Sequence, residues 1–229
     1  MNCSAALWSK AGLTDGPAVL TPVLTEATLD GQVARLLDEL PARFALAGLS
    51  LGGIVAMALA RTAPERVSAL TLLSTNPYPP TPEQLSGWRA SRDALLAGRT
   101  ARELQRSWLP VLLSQPACRQ PELVEITLRM ADEVGETDLD AQLALQATRA
   151  DERPGLAELR CRLLVVAAAA DALCSVDRHR EMAVLASAAR LVIVDCAHLS
   201  PLERPDEVGA LLAGRQEPEA VPGQPQMSG

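Results

Sequence analysis

The pentapeptide Gly48-Leu49-Ser50-Leu51-Gly52 joins the apolar run Phe44-Ala45-Leu46-Ala47 to the apolar stretch Gly53-Ile54-Val55-Ala56-Met57-Ala58-Leu59. Read as strand, sharp turn and helix, it leaves a serine at the turn. A hydroxyl at such an elbow is pushed out over the end of a sheet, where a base can reach it and a carbonyl can approach. The turn forces the serine backbone into a strained conformation, and side chains at the flanking positions are expected to collide with the neighbouring strand and helix. The five-residue pattern alone is common; the strand before it and the helix after it give it meaning.

The rest of the chain continues that rhythm. Residues 18–24 read as a short strand, and Thr28 to Leu40 as a helix with Leu29, Val33, Leu36, Leu37 and Leu40 on one face. Residues 43–49 form the strand before the elbow, about 51–63 the buried helix after it, and 67–74 another strand. Buried strands alternating with helices predict a parallel α/β sheet. At Asn76-Pro77-Tyr78-Pro79-Pro80 the pattern changes, and the following eighty or so residues read as helical. Thr81-Pro82-Glu83-Gln84 and Thr100-Ala101-Arg102-Glu103 are capping boxes, and Gly135 is a stop between helices over 121–134 and 137–149. This insert, residues 78–157, reads as a helical lid between two halves of a core, 1–77 and 158–214. Trp88 and Trp108 lie within it, as helix-packing residues or as the lining of a pocket. Sheet rhythm resumes with a strand over 162–168, a helix over 178–188, a strand over 190–194 and a helix over 205–213. Residues 215–229, rich in Pro, Gly and Gln, are expected to form a disordered tail.

Composition closes off several classes. A net charge of −7 argues against nucleic-acid or anionic-membrane partners, which select Lys/Arg patches. The longest apolar run, near 163–170, is too short to span a bilayer, and no signal peptide opens the chain, so a cytoplasmic setting is expected. Aromatic residues make up only 2% of the chain, so Ala, Leu and Val must fill the core. Cys3, Cys118, Cys161, Cys174 and Cys196 show no paired spacing and read as small core or loop residues, and no metal-ligand pattern is present. Cys196, close to His198, reads as filler.

A serine needs a base, and the chain has two histidines. His198 follows the strand over 190–194, at the same sheet edge as Ser50. His179 sits in the charged run Asp177-Arg178-His179-Arg180-Glu181 and reads as a solvated surface residue. The base needs a carboxylate to fix its tautomer, and Asp171, three residues past the strand over 162–168, fits. Asp177 reads as a helix cap, Asp195 is too near His198 along the chain, and Asp151 is a further competitor.

Phe44 to Gly53, Ala63-Pro64-Glu65-Arg66-Val67, the strand ending near Asp171 and His198-Leu199-Ser200-Pro201-Leu202-Glu203-Arg204-Pro205 together resemble the α/β-hydrolase superfamily over roughly residues 5–213. The resemblance implies a mostly parallel sheet flanked by helices, with Ser50 as nucleophile, Asp171 as orienting acid, His198 as base and no cofactor. It implies oxyanion donors at Leu51 and, where the chain begins, at Met1. The substrate it implies is a small molecule with an ester, thioester or similar carbonyl; C–C cleavage and perhydrolysis by the same triad stay open. Ala168, Ser175 and Ala197 stand where the family usually has Gly, Pro and Gly. The strands that precede the first helix in this superfamily have no counterpart here, so the native polypeptide is expected to begin upstream of Met1. That departure keeps a second reading alive, a hydrolase-fold protein without turnover.

Overall fold

The computed structural model describes residues 1–13 and 19–214. The tail expected at 215–229 lies outside the described residues, as does Ala18. Four strands, β1 (Phe44–Leu49), β2 (Val67–Leu73), β3 (Arg162–Ala168) and β4 (Ala189–Val194), form one sheet in the order β1-β2-β3-β4. Every pairing is parallel.

Strand periodicity separates two cores, because alternate side chains point to opposite faces of a sheet. On one face Leu70, Leu72, Leu163 and Val165 pack against helices α2 (Leu29–Glu39), α3 (Leu51–Thr62) and α8 (Val176–Leu185). On the other, Leu73, Val166, Ala168 and Val194 pack with α1 (Ala6–Ser9), α9 (Ser200–Glu203) and α10 (Pro205–Leu212). Nine residues of α3 are buried, as its nearly all-round apolar sequence requires. Burying each leucine among them is worth roughly 1.5–3 kcal/mol.

Between β2 and β3 lie α4 (Pro82–Leu96), α5 (Ala101–Leu112), a short 3-10 turn (Ala117–Arg119), the long α6 (Pro121–Ala147) and α7 (Arg153–Ala157). Both expected capping boxes form: the Thr81 and Thr100 side chains accept from the amides of Gln84 and Glu103, whose side chains accept in return. Gly135 takes φ 73° and breaks α6, as its position predicts. Ala101, Leu104, Ala131, Val134, Leu139 and Leu143 give these helices a small core of their own.

The strand expected at 18–24 does not form over its described part. Residues 19–24 are irregular, and Val19, Leu20 and Val23 are exposed. Pro22 has no N–H to give a ladder. This stretch and β1 both line a cavity of about 540 Å³, with Leu36, Val55 and Leu59, and β1 pairs only with β2 among the described residues. β1 is thus an edge strand among the described residues.

Candidate active site

Ser50 sits between the end of β1 and the start of α3 with φ 54° and ψ −115°, a left-handed backbone that a side chain rarely adopts. Glycine is required at two neighbours. A Cβ on Gly48 would lie 2.3 Å from the carbonyl oxygen of Gly52, and one on Gly53 would lie 2.7 Å from Thr75 Cγ2. At Gly52, by contrast, a Cβ would meet nothing within 4 Å, which corrects the expectation that both ends of the pentapeptide are sterically fixed.

The elbow is tied down from behind. Ser50 N–H donates to the Leu73 carbonyl, and the Ser50 carbonyl accepts from the amides of Gly53 and Ile54. Thr75 Oγ1 donates to the same Ser50 carbonyl at 2.8 Å. Thr75 N–H in turn donates to His179 Nε2 at 3.2 Å, and His179 Nδ1 lies 2.9 Å from the Ser175 carbonyl. These partners fix His179 as the neutral tautomer with its proton on Nδ1. His179 is therefore not a solvated surface residue: it is fully buried. Burial, foremost, pulls its pKa below the ordinary value. The charged run around it hid a signal, since His179 and Met182 share the buried face of α8 at a spacing of three.

His198 and Asp171 meet. His198 Nδ1 lies 2.9 Å from Asp171 Oδ2, and both side chains are almost completely buried. Asp171 Oδ1 accepts from the amides of Leu173 and Cys174 at 2.8 and 3.0 Å. Burial alone would push the Asp171 carboxyl up; the His198 hydrogen bond and charge together with those two amides outweigh it and hold the carboxyl below its usual value. The competing carboxylates are placed elsewhere. Asp151 pairs with Arg153, Asp177 with Arg180, and exposed Asp195 lies near Arg204. Asp177 is also not the cap of α8, whose N-cap is Ser175.

Ser50, His198 and Met1 line one cavity of about 310 Å³ together with Cys3, Trp88, Trp108, Arg149 and Cys174. The Ser50 hydroxyl makes no hydrogen bond to a described residue, and none joins it to His198. Leu51 is the first residue of α3, where an N–H has no intrahelical partner. Met1 is held through its neighbour: Asn2 N–H donates to Gln142 Oε1 at 2.7 Å, and Asn2 Nδ2 donates to Gln105 Oε1 at 2.8 Å. Trp88 and Trp108 both line the cavity and both pack in the helical insert, so the two readings of them coincide. Cys196 is buried and does not line this cavity.

Asp171, Cys174 and His198 bring ligand-type atoms within 4.8 Å of one another. Burial pushes the Cys174 thiol up to about 12, so at neutral pH it stays protonated. The carboxylate and imidazole already satisfy each other. This set suits proton handling better than cation binding.

Sequence reasoning missed Arg149, which lies two residues past α6. It is buried, its guanidinium sits 5.1 Å over the Trp88 ring, and it donates to Gln146 Oε1 and to Gln84 Oε1 at 3.1 and 2.6 Å. Among the described residues its Nε has no hydrogen-bond partner and no carboxylate pairs with it.

Comparison with known proteins agrees with this architecture. A model described as the alpha/beta hydrolase family matches residues 12–211. A pimeloyl-[acyl-carrier protein] methyl ester esterase from Aliivibrio salmonicida is 38% identical over 74 residues, 32% of this chain and 27% of that protein. One from Nitrosomonas europaea is 46% identical over 50 residues, 22% of this chain and 20% of that protein. The matched segments thus span about a quarter of the length of these curated relatives. Among solved structures, a thermophilic esterase from Thermogutta terrifontis superimposes with a TM-score of 0.78 at 25% identity, covering 93% of this chain and 85% of that one. A hydrolase from Pseudomonas aeruginosa gives 0.75 at 27% identity, covering 86% and 75%. The chain belongs to the alpha/beta hydrolase family.

Proposed function

We propose that the protein is a serine esterase that cleaves a small carboxylic ester or thioester through an acyl-enzyme. The observation that carries this reading is the buried Asp171–His198 pair on the cavity onto which the strained Ser50 elbow opens. The esterase names of the relatives support it.

Asp171 holds the proton of His198 on Nδ1, so Nε2 is free to act as base. Nε2 takes the Ser50 proton as Oγ bonds to the substrate carbonyl carbon. The oxyanion is met by the N–H of Leu51 and by Met1. The imidazolium then returns its proton to the departing alcohol or thiol, and the acyl group stays on Ser50. Water, deprotonated by the same nitrogen, attacks the acyl carbon; the bond to Ser50 Oγ then breaks, Oγ takes the proton back from Nε2, and the acid is released. An oxyanion donor of this kind is worth about 10²–10³ in rate. The helices over 78–157 act as a lid, with Trp88 and Trp108 shaping the acyl pocket.

The competing reading is a hydrolase fold without turnover, favoured by the lack of a hydrogen bond between Ser50 and His198. Steady-state hydrolysis of short p-nitrophenyl esters separates the two. Turnover that is lost in both Ser50→Ala and His198→Ala supports the esterase; no turnover by folded wild-type protein refutes it.

A further inference from the structure

We infer that the cavity around Ser50 contains an anion subsite built on Arg149, and that the preferred ester carries a carboxylate. This deepens, and for turnover rests on, the esterase reading.

Among the described residues Arg149 carries an unbalanced charge. It is one of the few buried charged residues, and its two hydrogen bonds go to neutral amides, Gln84 and Gln146. A guanidinium has five N–H donors, so three remain, and Nε is buried without a partner among the described residues. A buried cation left in this state is costly, and proteins ordinarily pair it. The other buried arginine partner in this part of the chain shows the contrast: Glu152 is buried and meets Arg61 through two hydrogen bonds. Among the described residues Arg149 has no such partner, while Gln84, Trp88 and Gln146, the three side chains that hold it, all line the same cavity as Ser50 and His198.

Its pose is also constrained. The Trp88 ring supports one face of the guanidinium, and the two amides hold its ends. A planar, preoriented fork suits a carboxylate, which can accept two parallel hydrogen bonds. The cavity, about 310 Å³, is at the small end for ligand sites, which favours a short acid. The carboxylate can sit on the acyl part, as in a half-ester of a dicarboxylic acid, or on the alcohol part; the recognising chemistry is the same.

Two measurements test this. Glutarate, which cannot be hydrolysed, is titrated into wild-type protein and into Arg149→Met by calorimetry, with neutral glutaramide as control. Glutarate should bind at least about tenfold more tightly than glutaramide, and Arg149→Met should erase the difference. In parallel, kcat/KM is measured for monomethyl glutarate against its neutral isostere methyl 5-methylhexanoate, and for O-butyryl glycolate against a neutral butyrate ester of the same size. Wild-type protein should prefer at least one anionic ester by about tenfold or more, mainly through KM, and the arm that responds places the carboxylate. Arg149→Met should lower that preference ratio about tenfold, and Arg149→Lys should restore part of it. If Arg149→Met does not fold, the glutarate–glutaramide comparison in wild-type protein still decides. Equal binding of glutarate and glutaramide, or ester turnover without anionic preference, overturns the subsite. Selective glutarate binding with no turnover of any ester supports the subsite and refutes the esterase reading instead.

Discussion

Replacing Thr75 by valine removes one hydroxyl and almost no volume, at the point where the Ser50 elbow is anchored. Thr75 is buried, and its Oγ1 donates to the Ser50 carbonyl at 2.8 Å. That carbonyl keeps the amides of Gly53 and Ile54, so it is not orphaned by the change. The loss is therefore the net value of one hydrogen bond, about 0.5–1.5 kcal/mol, rather than the larger penalty of an unsatisfied buried group. For a chain of 229 residues, at about 2–4 °C per kcal/mol, the melting temperature should fall by about 1–6 °C. The catalytic effect should be larger in proportion, because the bond fixes the tilt of the peptide that carries Ser50. A misplacement of about 1 Å can cost about 10²-fold, so a fall in kcat of about threefold to 10²-fold with KM little changed is expected. Thr75→Ser separates the two effects: it gives up the methyl packed against Gly53 but keeps the hydroxyl, so it should lose stability while retaining most of kcat. Ester kinetics and thermal unfolding of both variants check this. Wild-type kcat in Thr75→Val, or equal loss of kcat in the two variants, would refute the anchoring argument.

Gly53→Ala should destabilise the protein by about 1–3 kcal/mol, because the new methyl meets buried Thr75 at 2.7 Å, whereas Gly52→Ala should be neutral or stabilising by up to about 1 kcal/mol; urea unfolding of the pair checks both. His179 accepts from Thr75 N–H only when neutral, and its folded pKa lies below the ordinary 6.5. The folded state therefore binds fewer protons than the unfolded one just below pH 6.5, so this contribution is fully present above that pH and is lost as pH falls toward the folded value. The slope should be at most about 1.4 kcal/mol per pH unit and should be reduced in His179→Gln; Asp171 and His198, which also face this ring, are the background that the variant controls for. Asp171→Asn should preserve the fold yet lower kcat by about 10⁴-fold, since the amide favours the wrong tautomer of His198; kinetics together with circular dichroism check this.

What the chain disclosed in advance were features with local causes. The capping boxes at Thr81 and Thr100, the helix break at Gly135 and the elbow at Ser50 each depend on a few consecutive residues. Asp171 could be set apart from Asp177 and Asp195 by its place just past a strand end, whereas the arginine partners of Asp151, Asp177 and Asp195 emerged only from the structure. Properties set by distant neighbours were hidden. Residues 19–24 have strand-like composition, but pairing depends on what lies beside them, and they line a cavity together with β1 and pair with no strand among the described residues. His179 and Arg149 sit among polar or charged residues that suggest solvent, yet both are buried by elements far away in sequence. For His179 the spacing to Met182 was a usable signal. For Arg149 none existed, because its burial is created by Trp88 and Gln84 of α4 folding over it.

Covalent trapping reads the role of Ser50 without any choice of substrate. Wild-type protein is treated with a fluorophosphonate, and the modified residue is located by peptide mass mapping. Stoichiometric labelling at Ser50, slowed in Asp171→Asn and abolished in Ser50→Ala, is the predicted result. A folded wild-type protein that takes up no label, or takes it up at another residue, would contradict it.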